Sequence, residues 1–238
     1  MKHVTLTPTQ FKKQVKHIPF NRSYSVLKKL QESMIEFGFT VPVIIICTDA
    51  LTKVKEWFVA DGQHRAAAAI ALGIKIDAVI VDRFFETKEQ IVRFIAALNS
   101  KTTPWKVVDY CNAYIALNND HYMYLNKRAN ETGFSHSILA ILYNGTAARR
   151  MGSIKRSIEN GTFEIRSKIK AEETLEYASE LGNYKLLSNR MLLALHNVML
   201  TNDGFNRESF MKRYKKDHQK LKELKLDDYT QIFTNWSN

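Results

Sequence analysis

Cysteine is scarce: Cys47 and Cys111 are the only two in the 238-residue chain, and they stand far apart in no Cys-x-x-Cys or related spacing. That argues against a disulfide framework and against a cysteine-based zinc site. The histidines show no ligand spacing, so no metal cluster is expected. Only four prolines and nine glycines interrupt the sequence, which leaves room for a chain dominated by regular structure. Long apolar runs are missing as well. The longest, Val41 to Cys47, is too short to cross a bilayer, and no apolar segment follows the polar start Met1-Lys2-His3 as a secretory leader requires. The expectation is a cytoplasmic protein with no membrane partner.

What the chain does carry is positive charge. Lys and Arg total 35 against 24 Asp and Glu, for a net charge of +11 and a pI near 9.5. Such an excess favours polyanionic partners, nucleic acid foremost.

Hydrophobic periodicity divides the chain into a mixed N-terminal part and a helical remainder, an α+β class. Residues 1 to 24 read as a Thr-rich start and a basic stretch without a predicted element. Ser25 is placed to cap a helix over Val26–Phe37, with Leu27, Leu30, Met34 and Phe37 on one face and Gly38 as its end. Strands are predicted at Val41–Cys47, Glu56–Ala60 and Ile76–Val81, with an Ala-rich helix over His64–Leu72 closed by Gly73. From Lys88 the strand signal fades. Helices are predicted over Glu89–Leu98, Trp105–Leu117 with Pro104 at its first turn, Tyr122–Glu131 and Ser135–Tyr143, and the rest is mostly helical. Boundaries suggested by composition give segments 1–100, 101–161 and 162–238.

The informative unit is Val59-Ala60-Asp61-Gly62-Gln63-His64-Arg65, followed by alanines. A strand runs through a tight glycine turn straight into a helix. The first N–H groups of that helix lack intrahelical partners and lie at the positive end of its dipole, an arrangement that suits phosphate. Gly62 permits close backbone approach, Arg65 offers a forked donor, and His64 adds a donor whose charge depends on pH. A plain strand-turn-helix corner with a solvated His64 and Arg65 has the same composition. Asp61 reads as a turn cap, with Mg²⁺ binding the alternative.

This stretch resembles the ParB/sulfiredoxin superfamily, whose phosphate turn stands here as Gly62-Gln63-His64-Arg65. Upstream, Pro19-Phe20-Asn21-Arg22, then Leu30 to Gly38, then Val41-Pro42-Val43-Ile44-Ile45 follow the order and spacing of ParB-like domains over roughly residues 15 to 82. Gln63 stands where sulfiredoxins carry cysteine, which removes thiolate chemistry. The Asp-Gly-Gln-His-Arg form looks more like ParB-like proteins of phages and mobile elements than chromosome partition proteins. The resemblance implies a bound nucleoside triphosphate, CTP or ATP with Mg²⁺, gripped by Asp61, Gly62, Gln63, His64 and Arg65 with help from Arg22, Asn99 and Lys101. Leu98 replaces the acidic residue that precedes Asn99 in the family.

ParB proteins continue with a helix-turn-helix, and Leu125–Glu131, Gly133 and Ser135–Tyr143 resemble its two helices. DNA contacts are accordingly expected from Ser135, His136 and Ser137 and from the basic residues Arg149, Arg150, Lys155 and Arg156. The resulting expectation is a dimeric, nucleoid-associated DNA-binding protein regulated by a nucleotide. Two other readings stay open. One is an enzyme on the same scaffold, an NTP hydrolase, phosphotransferase or nuclease, although no paired carboxylates for a two-metal nuclease are evident. The other is a helical interaction module without nucleotide binding.

Overall fold

A computed structural model describes residues 1–22, 25–100, 104–145, 151–182, 184, 187–221 and 224–237. The chain divides into two compact units, Met1–Asn118 and Asn119–Asn238. The first is α+β and the second is helical.

The first unit is built on a five-stranded mixed sheet, β1 (Lys2–Leu6), β2 (Val15–His17), β3 (Val43–Thr48), β4 (Glu56–Asp61) and β5 (Ile76–Val81), in the order β1-β5-β3-β4-β2. β3 runs parallel to β5 and antiparallel to β4, β1 is antiparallel to β5, and β2 is parallel to β4. Leu6, Ile76, Ala78, Ile80, Val43, Ile45 and Val59 share one apolar face. α1 (Pro8–Gln14), α2 (Lys28–Phe37) and α3 (Gln63–Leu72) supply Phe11, Met34, Ala66, Ala68 and Ala69 to the same core. The small alanines let α3 lie close to the sheet. Ile46, Phe58 and Ala60, whose side chains alternate to the opposite face, are also buried, and α4 (Lys88–Asn99) packs on β4 through its apolar side, Ile91, Val92, Ile95 and Ala96. α5 (Val107–Ala116) completes this unit.

Three elements lie where no element is predicted. β1 is a half-polar edge strand, and its single alternating trio Lys2, Val4, Leu6 is a weak signal. α1, however, carries a legible one: the Thr7 side chain accepts from Gln10 N, and the Gln10 side chain accepts from Thr7 N, with Pro8 in the first turn. β2 is too short to show a period.

Boundaries also differ. α2 begins at Lys28 with Leu27, which has no side-chain acceptor, at its N-cap, and the Ser25 backbone meets His64. Of the predicted apolar face, Met34 is buried and Leu30 partly so, while Leu27 and Phe37 are exposed. β3 starts at Val43, past Pro42, which has no N–H for the ladder. Pro104 precedes α5 rather than opening it; Asp109 reaches back to Lys106 N and fixes the start at Val107.

The second unit contains α6 (Asp120–Thr132), α7 (His136–Asn144), α8 (Met151–Asn160), α9 (Lys168–Gly182), α10 (Asn189–Thr201), α11 (Arg207–Asp217) and α12 (Leu226–Trp236). The predicted helix, glycine turn and helix appear as α6, Gly133 in the left-handed region and α7. α7 packs against α6, α8, α9 and α10. Within the described residues no helix is long and apolar enough to cross a membrane.

Candidate phosphate-binding cavity

The register of β3 against β4 slips by one residue just before the glycine turn. Ile45 faces Val59 while Ile44 faces Asp61, so Ala60 is the extra residue of a bulge. Asn21 Nδ2 donates to the Ala60 carbonyl at 3.3 Å. Gly62 then adopts φ +86° and ψ +20°, left-handed backbone that a side chain rarely tolerates, and α3 starts at once. No side chain caps α3, whose first internal bond runs from Ala66 N to the Gly62 carbonyl at 2.9 Å.

Arg65 folds back over this turn. Its Nη2 donates to Asp61 Oδ2 at 3.0 Å and to the Pro42 carbonyl at 3.2 Å, tying the end of β4 to the start of β3. Its Nε is buried and has no hydrogen-bond partner among the described residues. Gln63 is buried, and its Nε2 donates to the Arg22 carbonyl at 2.7 Å. Arg22 turns its guanidinium toward Asp109 (Nε to Oδ2, 3.4 Å) and over the Trp105 ring at 5.7 Å. His64 Nδ1 lies 2.9 Å from the Ser25 carbonyl.

Asn21, Arg22, Ala60 and the run Asp61 to Arg65 line one cavity of about 530 Å³, within the roughly 300–1,000 Å³ usual for small-molecule sites. Every residue expected to bind nucleotide lies on its wall except Lys101, which falls outside the described residues: Arg22, Asp61, Gly62, Gln63, His64, Arg65 and Asn99. Arg22 and Asn99 arrive from distant parts of the chain, Asn99 from the last turn of α4 with its Nδ2 on the Ile95 carbonyl. The lining also includes the apolar Leu27, Leu30, Met34 and Val41, with Ser33 and Thr40 among them. The lining thus combines cationic and apolar side chains, a mixture suited to a ligand with an anionic head and a less polar body.

A nucleotide with Mg²⁺ meets a partial donor set here. The uncapped helix start and the buried Arg65 Nε suit phosphate oxygens. Asp61 is the one carboxylate lining the cavity among the described residues, sufficient for an ion held mainly by phosphates and water. No group of three or more His, Cys, Asp or Glu side chains capable of holding a metal occurs among the described residues.

Sequence reasoning did not single out Asp109 or Asn21. Asp109 is joined to Arg22 only by the fold, and its sequence signal was that of a helix start. Trp105 is buried edge-on to Tyr110 at 5.1 Å, as packing rather than an exposed stacking platform.

The residues expected at DNA are scattered in character. Ser135 caps α7 through Oγ to Ile138 N at 3.4 Å. His136 Nε2 lies 3.0 Å from Asn126 Oδ1, and partial burial lowers its pKa. Every residue from Ile138 to Tyr143 is buried, so α7 cannot lay a long face in a groove; only its ends, the N-cap Ser135 with His136 and Ser137 and the last residue Asn144, are accessible. Lys155 and Arg156 are exposed on α8, with Lys155 3.7 Å from Glu159. Arg149 and Arg150 lie outside the described residues. No protein-family model and no curated protein matches the sequence, so the functional reading rests on the cavity itself.

Proposed function

We propose that the first unit binds a nucleoside triphosphate, CTP or ATP with Mg²⁺, and that the bound nucleotide regulates association of a ParB-like protein with DNA. The observation that carries this reading is convergence: a left-handed glycine, an uncapped helix start, two guanidiniums and an imidazole meet in one cavity of nucleotide size. The phosphates would take the Gly62–Arg65 turn, with Arg65 exchanging part of its Asp61 bond for a phosphate oxygen and Arg22 closing from the side. The base and sugar would lie toward Leu27, Leu30, Met34 and Val41. DNA association draws on the net charge of +11 and on exposed cations such as Lys155 and Arg156 rather than on the body of α7.

The test is a thermal-shift panel of CTP, ATP, GTP and UTP with Mg²⁺, with and without duplex DNA. A ligand selective for the native state raises the melting temperature. A shift with one nucleotide, enlarged by duplex, is expected. No shift with any nucleotide at millimolar concentration overturns the nucleotide assignment.

A further inference from the structure

A second cleft in the first unit lies away from the Gly62 turn, between the segment after β5 and the outer face of α4. Gln90, Arg93, Phe94 and Ala97 recur at helical spacing on that face, and Arg83, Phe84 and Phe85 rise opposite them. Phe84 is 76% exposed, the most exposed aromatic side chain among the large hydrophobics of the described residues. Beside it, the Arg83 guanidinium sits 5.7 Å from the Phe85 ring and 5.6 Å from the Phe94 ring. Those two rings pack on each other at 5.4 Å, so the platform beneath Arg83 is fixed. Arg83 makes no hydrogen bond and no ion pair among the described residues. The acid in the cleft, Glu86, is engaged: its carboxylate accepts from Gln90 Nε2 at 3.3 Å, and its N–H donates to Gln90 Oε1 at 2.9 Å.

A cation held over two rings with its donors unspent, next to an exposed aromatic face, combines what a single nucleic-acid strand requires: a phosphodiester contact and a surface for a base. We infer that this cleft binds single-stranded nucleic acid, Arg83 taking a backbone phosphate and Phe84 stacking on a base. Charge complementarity selects a polyanion over an apolar peptide. The basic excess is shared by both units, 16 Lys and Arg against 10 Asp and Glu in the first and 19 against 14 in the second, so the whole chain attracts such a strand. The inference is separate from the nucleotide site, because no residue of this cleft lines that cavity.

The experiment is fluorescence anisotropy of a labelled oligo-dT strand against the full chain, titrated over a series of salt concentrations. Phe84→Ala should weaken binding about tenfold at every salt concentration, since stacking is not screened. Arg83→Ala should weaken it and flatten the slope of log K against log salt by about 0.7, the loss of one single-strand phosphate contact. Phe84→Trp should restore affinity and add emission that is quenched when the strand binds. Arg65→Ala should leave oligo-dT affinity unchanged while abolishing any nucleotide-induced melting shift, which separates failure of one reading from failure of the other. Absence of oligo-dT binding at low salt overturns the inference. So does binding that neither Phe84→Ala nor Arg83→Ala alters, or equal competition by polyglutamate, which would mark a diffuse cationic surface.

Discussion

A Cβ built on Gly62 would stand 2.7 Å from Nη2 of Arg65, closer than any real Cβ contact. The glycine therefore does two things at once. It supplies left-handed backbone between β4 and α3, and it leaves the space into which Arg65 folds to reach Asp61 and Pro42. Gly62→Ala should lower stability by about 1–2 kcal/mol from backbone strain alone and should also push the guanidinium off its seat. Urea unfolding reads the first effect and calorimetric titration with nucleotide the second. Wild-type nucleotide affinity in Gly62→Ala would show that Arg65 is not held for the ligand.

Arg22 links the cavity to α5, because the same guanidinium approaches Asp109 and lies over Trp105. A phosphate that draws Arg22 inward must change the surroundings of the indole. Nucleotide binding is expected to alter intrinsic tryptophan emission, and Trp105→Phe should remove that change while Trp57 and Trp236 remain. An unaltered response in Trp105→Phe would place the reporter, and the movement, elsewhere.

In the helical unit, Glu172 gathers three partners. The Tyr124 and Tyr143 hydroxyls each donate to its Oε1 at 2.5 Å, and Arg128 Nη2 donates to its Oε2 at 2.8 Å. Those bonds hold the carboxylate below the ordinary glutamate pKa against the opposing effect of burial. Glu172→Ala leaves two phenolic donors without their acceptor and takes one partner from Arg128, an 18% exposed side chain that keeps Glu131. Because the carboxylate is 33% exposed, water softens the loss to about 2 kcal/mol, below the range for fully buried pairs. Glu172→Gln should cost less, since the hydroxyl bonds can persist. Denaturant midpoints of the two variants check the order.

His196 is fully buried, its Nδ1 lies 2.8 Å from Thr174 Oγ1, and its Nε2 has no hydrogen-bond partner among the described residues. Burial, with a smaller contribution from Lys170, lowers its pKa to about 4. The folded chain therefore holds the imidazole neutral while the unfolded chain protonates it near its ordinary value. Its contribution to stability is complete above about pH 6.5 and is lost as pH falls toward 4, a penalty of about 3 kcal/mol. Urea midpoints measured from pH 7.5 down to 4.5 should fall over that window, and His196→Gln should flatten the fall. A midpoint equally pH-dependent in both proteins would assign the acid sensitivity to other groups.

Much of the framework was legible in one dimension because it depends on local periodicity. Ile76–Val81 forms a strand over the bounds expected, and the glycines at 38, 73 and 133 each end a helix in the structure. The Thr7–Gln10 capping signal was present too, although β1 and β2 around it were too short and too polar to show a period. The α6–Gly133–α7 hairpin was legible as a shape, but its use was not. A run as apolar as Ile138 to Tyr143 belongs either to a helix with one wet face or to one enclosed by neighbours, and only the packing of α6, α8, α9 and α10 settles that it is enclosed.

The candidate site divides the same way. Asp61 to Arg65 were visible as a unit because a strand-glycine-helix corner is made by neighbours in sequence. Arg22 and Asn99 were expected there only through the family resemblance, and Asp109, which meets Arg22, was not expected at all: these residues come together because β3 and β4 pair, α4 packs on β4, and α5 follows. The sequence by itself determined the strand-glycine-helix turn, the positive charge and the apolar periodicity, all properties of nearby residues. Only the tertiary structure decided which cations share a cavity, which aromatic rings lie beneath Arg83, and which histidine is sealed from water, because contacts between residues tens of positions apart are set by how the elements pack.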